Sequence, residues 1–219
     1  MAELRTEEEQ IEAIKNWWKE NGRSLLLAIA VAVAAVFGWQ GWQKRQDAQA
    51  TNASITYQEL VDSALALRSA PDAGAQRATA EHLSETLKND YSSSGYAVLG
   101  ALLMAKVNVD ASDLDKALSE LVWAEENAQE PEMKQLAQLR IARIKLAQGD
   151  AAAARDLLKS ANATYFTAAY EELLGDAFVA LGDVAQARKA YDSALSVATP
   201  QAKAVLQMKR DDLAQGDES

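Results

Sequence analysis

The chain contains no cysteine, one histidine and three prolines in 219 residues. Without cysteine there is no disulfide and no thiolate nucleophile; that absence is compatible with an oxidising compartment but does not establish one. The lone histidine, His82, falls on a predicted helix, where a single imidazole is more often a surface or core residue than a ligand or base. Neither H-E-x-x-H nor G-x-S-x-G occurs, and no glycine-rich phosphate loop follows a strand. Asp110, Asp113, Asp115 and the Glu125-Glu126 pair lack the order and central glycine of a calcium loop. Asp113 reads instead as a helix cap. These gaps predict no enzyme, no cofactor and no metal. A basic excess is missing as well: 22 Lys and Arg against 32 Asp and Glu give a formal charge of −10. That balance disfavours nucleic acid and anionic lipid as partners, because both are polyanions.

Long apolar runs are absent except one. From Ser24 to Gln43 the sequence SLLLAIAVAVAAVFGWQGWQ has no charged side chain, with Arg23 before it and Lys44-Arg45 after it. Twenty helical residues span about 30 Å, the thickness of a bilayer's hydrocarbon core. A cleaved signal peptide competes with a retained membrane helix, but a signal peptide opens with a short basic region. Here 23 residues with six acidic ones precede the run, which also continues into Phe37, Trp39 and Trp42. Trp17 and Trp18 on one side, with Trp39 and Trp42 on the other, resemble the aromatic belts of a spanning helix.

Arg5, Lys15, Lys19 and Arg23 precede the span, whereas Lys44 and Arg45 are followed by no basic residue until Arg68. Because basic residues stay on the cytoplasmic side, the tally predicts a cytoplasmic N-terminus and a periplasmic domain in a bacterial inner membrane. The expected division is residues 1–23 as a cytoplasmic tail, 24–43 as the membrane span, 44–54 as a helical linker, 55–214 as the folded domain and 215–219 as a flexible tail. In the first segment, Thr6 and Glu9 form a capping box, and Ile11, Ile14 and Trp18 share one face. A short amphipathic helix ending near Asn21-Gly22 is predicted, since glycine readily takes the left-handed conformation that stops a helix.

The domain after the span carries about −8, once the tail's four basic and six acidic residues are set aside. Its order comes from repetition. Gly149-Asp150 through Ala161 and Gly182-Asp183 through Leu195 share the frame G-D-x-x-x-A-R-x-x-[YL]-x-x-A. Gly ends one helix, Asp caps the next, and small alanines let two antiparallel helices approach while Tyr191 or Leu158 fills the gap. Twelve residues before each frame alanine stands a small residue after a large apolar one, Leu174-Gly175 and Ile141-Ala142. That is the tetratricopeptide pattern. A weaker copy runs through Met104-Ala105, Ala117, Leu121 and Ala124; its spacing to the next copy is 37 residues instead of 33, which predicts a longer loop around Gln129-Glu130-Pro131. Helices over 55–69 and 73–89 keep the helical period without the code, as an N-terminal cap or a degenerate repeat joined through Ser92-Ser93-Ser94-Gly95. The fold class is all-α: a single N-terminal transmembrane helix followed by a tetratricopeptide-repeat-like α-solenoid.

Several features together resemble a known family: the acidic tail with Ile11-Glu12-Ala13-Ile14-Lys15-Asn16-Trp17-Trp18, the junction Glu20-Asn21-Gly22, a span ending Gly38-Trp39-Gln40-Gly41-Trp42, and the repeat LAQLRIARIKLAQGD over Leu136–Asp150. With a helical domain finishing Gln207-Met208-Lys209, the chain resembles the YfgM family, ancillary subunits of the bacterial SecYEG translocon. The resemblance implies a single-span inner-membrane protein whose periplasmic repeats associate with SecYEG and with the membrane-anchored chaperone PpiD, assisting secreted proteins to fold. It also implies a link to the response regulator RcsB on the cytoplasmic side. The alternative is an envelope scaffold without contact to secreting chains.

In a repeat solenoid the first helices of successive repeats line a concave face. Aligned frames place Leu99, Leu102 and Lys106, then Leu136, Leu139, Arg143 and Leu146, then Glu172, Asp176 and Val179 along it. This is the expected partner groove, although the same leucines could pack between helices. Tyr165, Phe166 and Tyr170 are either binding anchors or filling of an inter-repeat seam. In the span, Ala34 and Gly38 make a small-xxx-small pair, extended by Gly41, where a second helix can approach.

Overall fold

The computed structural model describes residues 7–70 and 74–215, and its chain divides into two compact units, Met1–Thr51 and Asn52–Ser219. Among the described residues there are nine helices and no strand. Helix α1 runs Glu7–Ser69. It is followed by α2 (Gly74–Asp90), α3 (Gly95–Asp110), α4 (Leu114–Asn127), α5 (Pro131–Ala147), α6 (Ala151–Ser160), α7 (Thr167–Ala180), α8 (Val184–Val197) and α9 (Pro200–Gln215).

In the first unit every apolar side chain of the 24–43 run is solvent-facing, as a helix whose neighbour is lipid must be. The Trp39 and Trp42 rings stand 5.2 Å apart at one end of the run. The stop expected at Asn21-Gly22 is not there, because α1 continues through it. Helical bonds hold this turn: Asn21 Nδ2 donates to the Trp17 carbonyl at 3.2 Å and Ser24 Oγ to the Asn21 carbonyl at 2.9 Å. Gly22 lies under the Trp18 indole, whose nearest atom would stand 3.2 Å from an added Cβ. Glycine here makes room for a ring and stays helical. The Thr6 end of the expected capping box lies outside the described residues.

The second unit is a row of antiparallel hairpins. The last part of α1 packs with α2 and α3 through Leu60, Leu67, Leu87 and Met104. Each such side chain contributes roughly 1.5–3 kcal/mol relative to exposure. The hairpins α3/α4, α5/α6 and α7/α8 follow, each neighbouring the next in chain order, and α9 closes the row against α8. Three turns repeat one geometry. Asp113, Asp150 and Asp183 cap α4, α6 and α8 by accepting from the amides of Lys116, Ala153 and Gln186 at 3.0, 3.1 and 3.1 Å. Before each cap stands a residue with positive φ: Gly149 at 84°, Gly182 at 77°, and Ser112 at 61°. The backbone bonds match as well, with Asp113, Asp150 and Asp183 amides donating to the carbonyls of Asn108, Lys145 and Phe178. The weak copy is therefore a full repeat whose turn glycine is replaced by serine.

Its longer spacing does not sit in a longer loop. The link 128–130 is shorter than the link 161–166; the extra residues are helical, with α5 at 17 residues against 14 in α7, and α4 at 14 against 10 in α6. Pro131 opens α5 at its first position, where the missing N–H is no loss.

Candidate functional site

The first helices α3, α5 and α7, with α9 beside them, form two adjoining clefts that share Arg143. One, of about 340 Å³, lies between α3, α4 and α5, with Lys106, Asp110, Arg140 and Arg143 around Val109, Leu121 and Ile144. The other, of about 550 Å³, lies between α5, α7 and α9, lined by Arg143, Leu146, Glu172, Asp176 and Lys209 among others.

Five of the expected groove residues therefore line a cleft: Lys106, Arg143, Leu146, Glu172 and Asp176. Others do not. Leu102 is 4% exposed and Leu139 3%, each packed into a core cluster between helices. Leu136 is half-buried against the same cluster as Leu102, Leu99 is half-buried outside both clefts, and Val179 is exposed beyond them. Helical period places a residue on a side of its helix, but a fraction of a turn toward the neighbouring helix separates a lining leucine from a seam leucine.

Two basic cleft residues escape the repeat alignment. Arg140 stands three positions before Arg143 on α5, half-buried, and its Nη1 donates to the Leu102 carbonyl at 3.3 Å. Burial first, and then the like charge of Arg143, lowers the Arg140 pKa below its ordinary value. Lys209 comes from α9, outside the repeat code. Its Nζ sits 2.8 Å from Glu172 Oε1 and 2.8 Å from Asp176 Oδ2, and 6.0 Å from the centre of the Tyr191 ring. Burial disfavours the ammonium, but hydrogen bonds and charge from Asp176 and Glu172 outweigh it, so the Lys209 pKa is raised. Tyr191 donates to Asp176 Oδ1 at 2.7 Å; burial and then that bond raise its pKa. Glu172 and Asp176, two of the expected groove residues, are thus already paired with the protein's own last helix.

Tyr170 belongs to the seam. It is buried in the α5–α7 core, and its hydroxyl donates to the Gln135 carbonyl at 2.7 Å. Burial, then the charge of Glu125, pushes its pKa up to about 12. Buried Gln135 also holds the 161–166 link, accepting from the Tyr165 amide at 3.0 Å and donating to the Asn162 carbonyl. Tyr165 itself is exposed, and Phe166 packs at the edge of the core. In the first unit, a Cβ added at Gly38 or Gly41 would meet nothing within 4 Å.

A membrane-spanning helix followed by capped helical hairpins with a cleft-bearing face defines a membrane-anchored repeat adaptor. A family model for a tetratricopeptide repeat-like domain matches residues 15–215. The chain is 30% identical to the ancillary SecYEG translocon subunit of Aggregatibacter actinomycetemcomitans over 97% of this chain and 100% of that one. It is 29% identical to proteins of the same name from Escherichia coli, over 94% of this chain and 96% of that one, and Haemophilus influenzae, over 94% and 97%. No solved structure is a significant match to it. The chain belongs to the tetratricopeptide repeat-like family of ancillary SecYEG translocon subunits.

Proposed function

We infer that this protein is a membrane-tethered interaction module of the Sec translocon, with residues 1–23 in the cytoplasm and the repeat domain in the periplasm. Its work is that of an adaptor rather than an enzyme: it binds the membrane-anchored chaperone PpiD beside SecYEG and assists secreted proteins to fold. A link to RcsB is assigned to the cytoplasmic side. The observation that carries this reading is the presence, in one chain, of an uncharged 20-residue helical stretch and a repeat domain with two adjoining clefts. The names of the full-length relatives point the same way. Basic residues gathered before the span support the orientation. Tethering raises the local concentration of the domain at the membrane, so a weak contact is still occupied.

Purification from mild detergent, combined with crosslinking from position 146, tests the reading. Leu146 lines a cleft, whereas Leu139 is buried and would report nothing. Adducts with translocon subunits or the chaperone are expected; their absence would sink the translocon role. Protease added to spheroplasts is expected to digest the domain after Arg45, and full protection would reverse the orientation. The Ala34, Gly38 and Gly41 face is proposed as the contact within the membrane, because small residues let a second helix come close. Copurification unchanged by Ala34→Leu with Gly38→Leu would reduce the helix to a passive anchor.

A further inference from the structure

Charges along the first-helix face are matched within the chain at both ends. Lys106 pairs with Asp110 at 2.6 Å on α3, and Lys209 closes on Glu172 and Asp176 at 2.8 Å. Between them, Arg140 and Arg143 stand one turn apart on α5, and among the described residues no carboxylate lies within ion-pair distance of either. The Arg140 guanidinium makes one hydrogen bond, to a main-chain carbonyl at 3.3 Å, of the five that its N–H groups allow. In a chain with 32 acidic residues this is an unusual place to leave two cations facing each other.

We propose that the cleft between α3 and α5 receives an acidic segment of a partner protein, with an Asp or Glu carboxylate held by Arg140 and Arg143 and an adjacent aliphatic side chain against the exposed Val109. The inference rests on the reading of this face as partner-binding and specifies the partner's chemistry. Guanidinium pairs suit carboxylates because their N–H groups form parallel bonds to both oxygens. A carboxylate entering the cleft would also relieve the Arg140–Arg143 repulsion and the burial penalty on Arg140. The exposed Val109 side chain selects against a bare anion, since removing its surface from water is favourable only beneath another apolar group. A lipid surface fits less well: recognising anionic headgroups takes clusters of several basic residues on a projecting surface. Here only two guanidiniums, one of them half-buried, line a cleft of about 340 Å³.

The test uses the full chain in neutral detergent. Fluorescence anisotropy is read with a labelled hexapeptide carrying Asp-Glu between two leucines, and with its Asn-Gln counterpart. The acidic peptide is expected to bind at least about tenfold more tightly, given the strength of charge-assisted hydrogen bonds, and the preference should shrink as salt rises. Arg143→Gln, at an exposed position, should cut the preference without disturbing the fold, and Arg140→Gln with Arg143→Gln should remove it. Lys134→Gln, exposed on the same helix but outside the cleft, should leave it intact. Equal affinity for the two peptides, or a preference that survives Arg143→Gln and the double variant, overturns the proposal. So does binding to phosphatidylglycerol vesicles that depends on Arg140 and Arg143 while the peptides are not distinguished. Copurification of the unaltered chain with SecYEG separates the two levels. If it persists while the peptides bind equally, only the acidic-segment proposal fails; if it is absent, the translocon reading fails whichever peptide binds.

Discussion

The hairpins α3/α4 and α7/α8 are built on one frame and filled differently. In the first, Ala105 stands where the second has Gly175, Leu121 where the second has Tyr191, and Ser112 where the second has Gly182. The glycine and the tyrosine go together. A Cβ at Gly175 would lie 2.4 Å from the Tyr191 ring, so the aromatic side chain occupies space that an alanine's methyl group takes in the first hairpin. The ring adds a hydroxyl, which bonds Asp176 and so ties the second helix to the first across the seam. Leucine cannot make that tie. The fixed Asp176 then receives Lys209 from α9, and the far end of the face is closed by internal ion pairs. A change in packing thus holds Asp176 where Lys209 of the last helix can reach it.

Gly175→Ala attacks that difference most directly. Overpacking against the Tyr191 ring should cost about 3 kcal/mol, read as a lowered urea midpoint of the repeat domain. Adding Tyr191→Leu should recover much of the loss, because the pair then copies the first hairpin. A double variant no more stable than Gly175→Ala would show that the two positions are not coupled. Next in size, Lys209→Ala removes the shared partner of Glu172 and Asp176. The three side chains are each about 30% exposed, so about 1–2 kcal/mol is expected. An unchanged midpoint would mean that α9 is held by its apolar contacts alone.

Ser112→Gly runs in the opposite direction. A non-glycine residue at φ 61° is strained, so this change should stabilise by about 1 kcal/mol and make the first turn resemble the other two. A loss of stability would mean that the serine hydroxyl contributes more than the strain. The smallest effect concerns pH. Tyr170 is raised to about 12 in the folded protein, so it favours the native state fully below its unfolded pKa. That contribution is lost as pH rises from about 10 through 12. The raised Tyr191 and Lys209 act in the same sense. A melting temperature that falls over that alkaline window, less steeply in Tyr170→Phe, is the expected result; an equal slope in the variant would assign the fall to other groups.

Much of this architecture is readable along the chain. The Asp150 and Asp183 caps bond three residues ahead, and the glycine before each takes a positive φ, so both show in a short window of sequence. The first turn was harder to see because serine adopts the conformation that glycine signals. Gly22 misled in the other direction, since its use is to accommodate the Trp18 ring and not to stop a helix. In the candidate site, Arg143, Leu146, Glu172 and Asp176 were legible from the repeat alignment, whereas Arg140 was hidden beside a buried leucine and Lys209 lay beyond the last repeat.

The sequence by itself determined the uncharged length that spans a membrane, the helical class and the position of the caps, because each depends on residues within a few positions of one another. Tertiary structure alone decided which leucines are sealed in seams, that Lys209 meets Glu172 and Asp176 from 37 and 33 residues away, and that Arg140 and Arg143 are left without an acidic partner. Those outcomes depend on how far each helix is turned against its neighbour. Side-chain volumes such as those of Gly175 and Tyr191 set that rotation, and the period of a single helix does not.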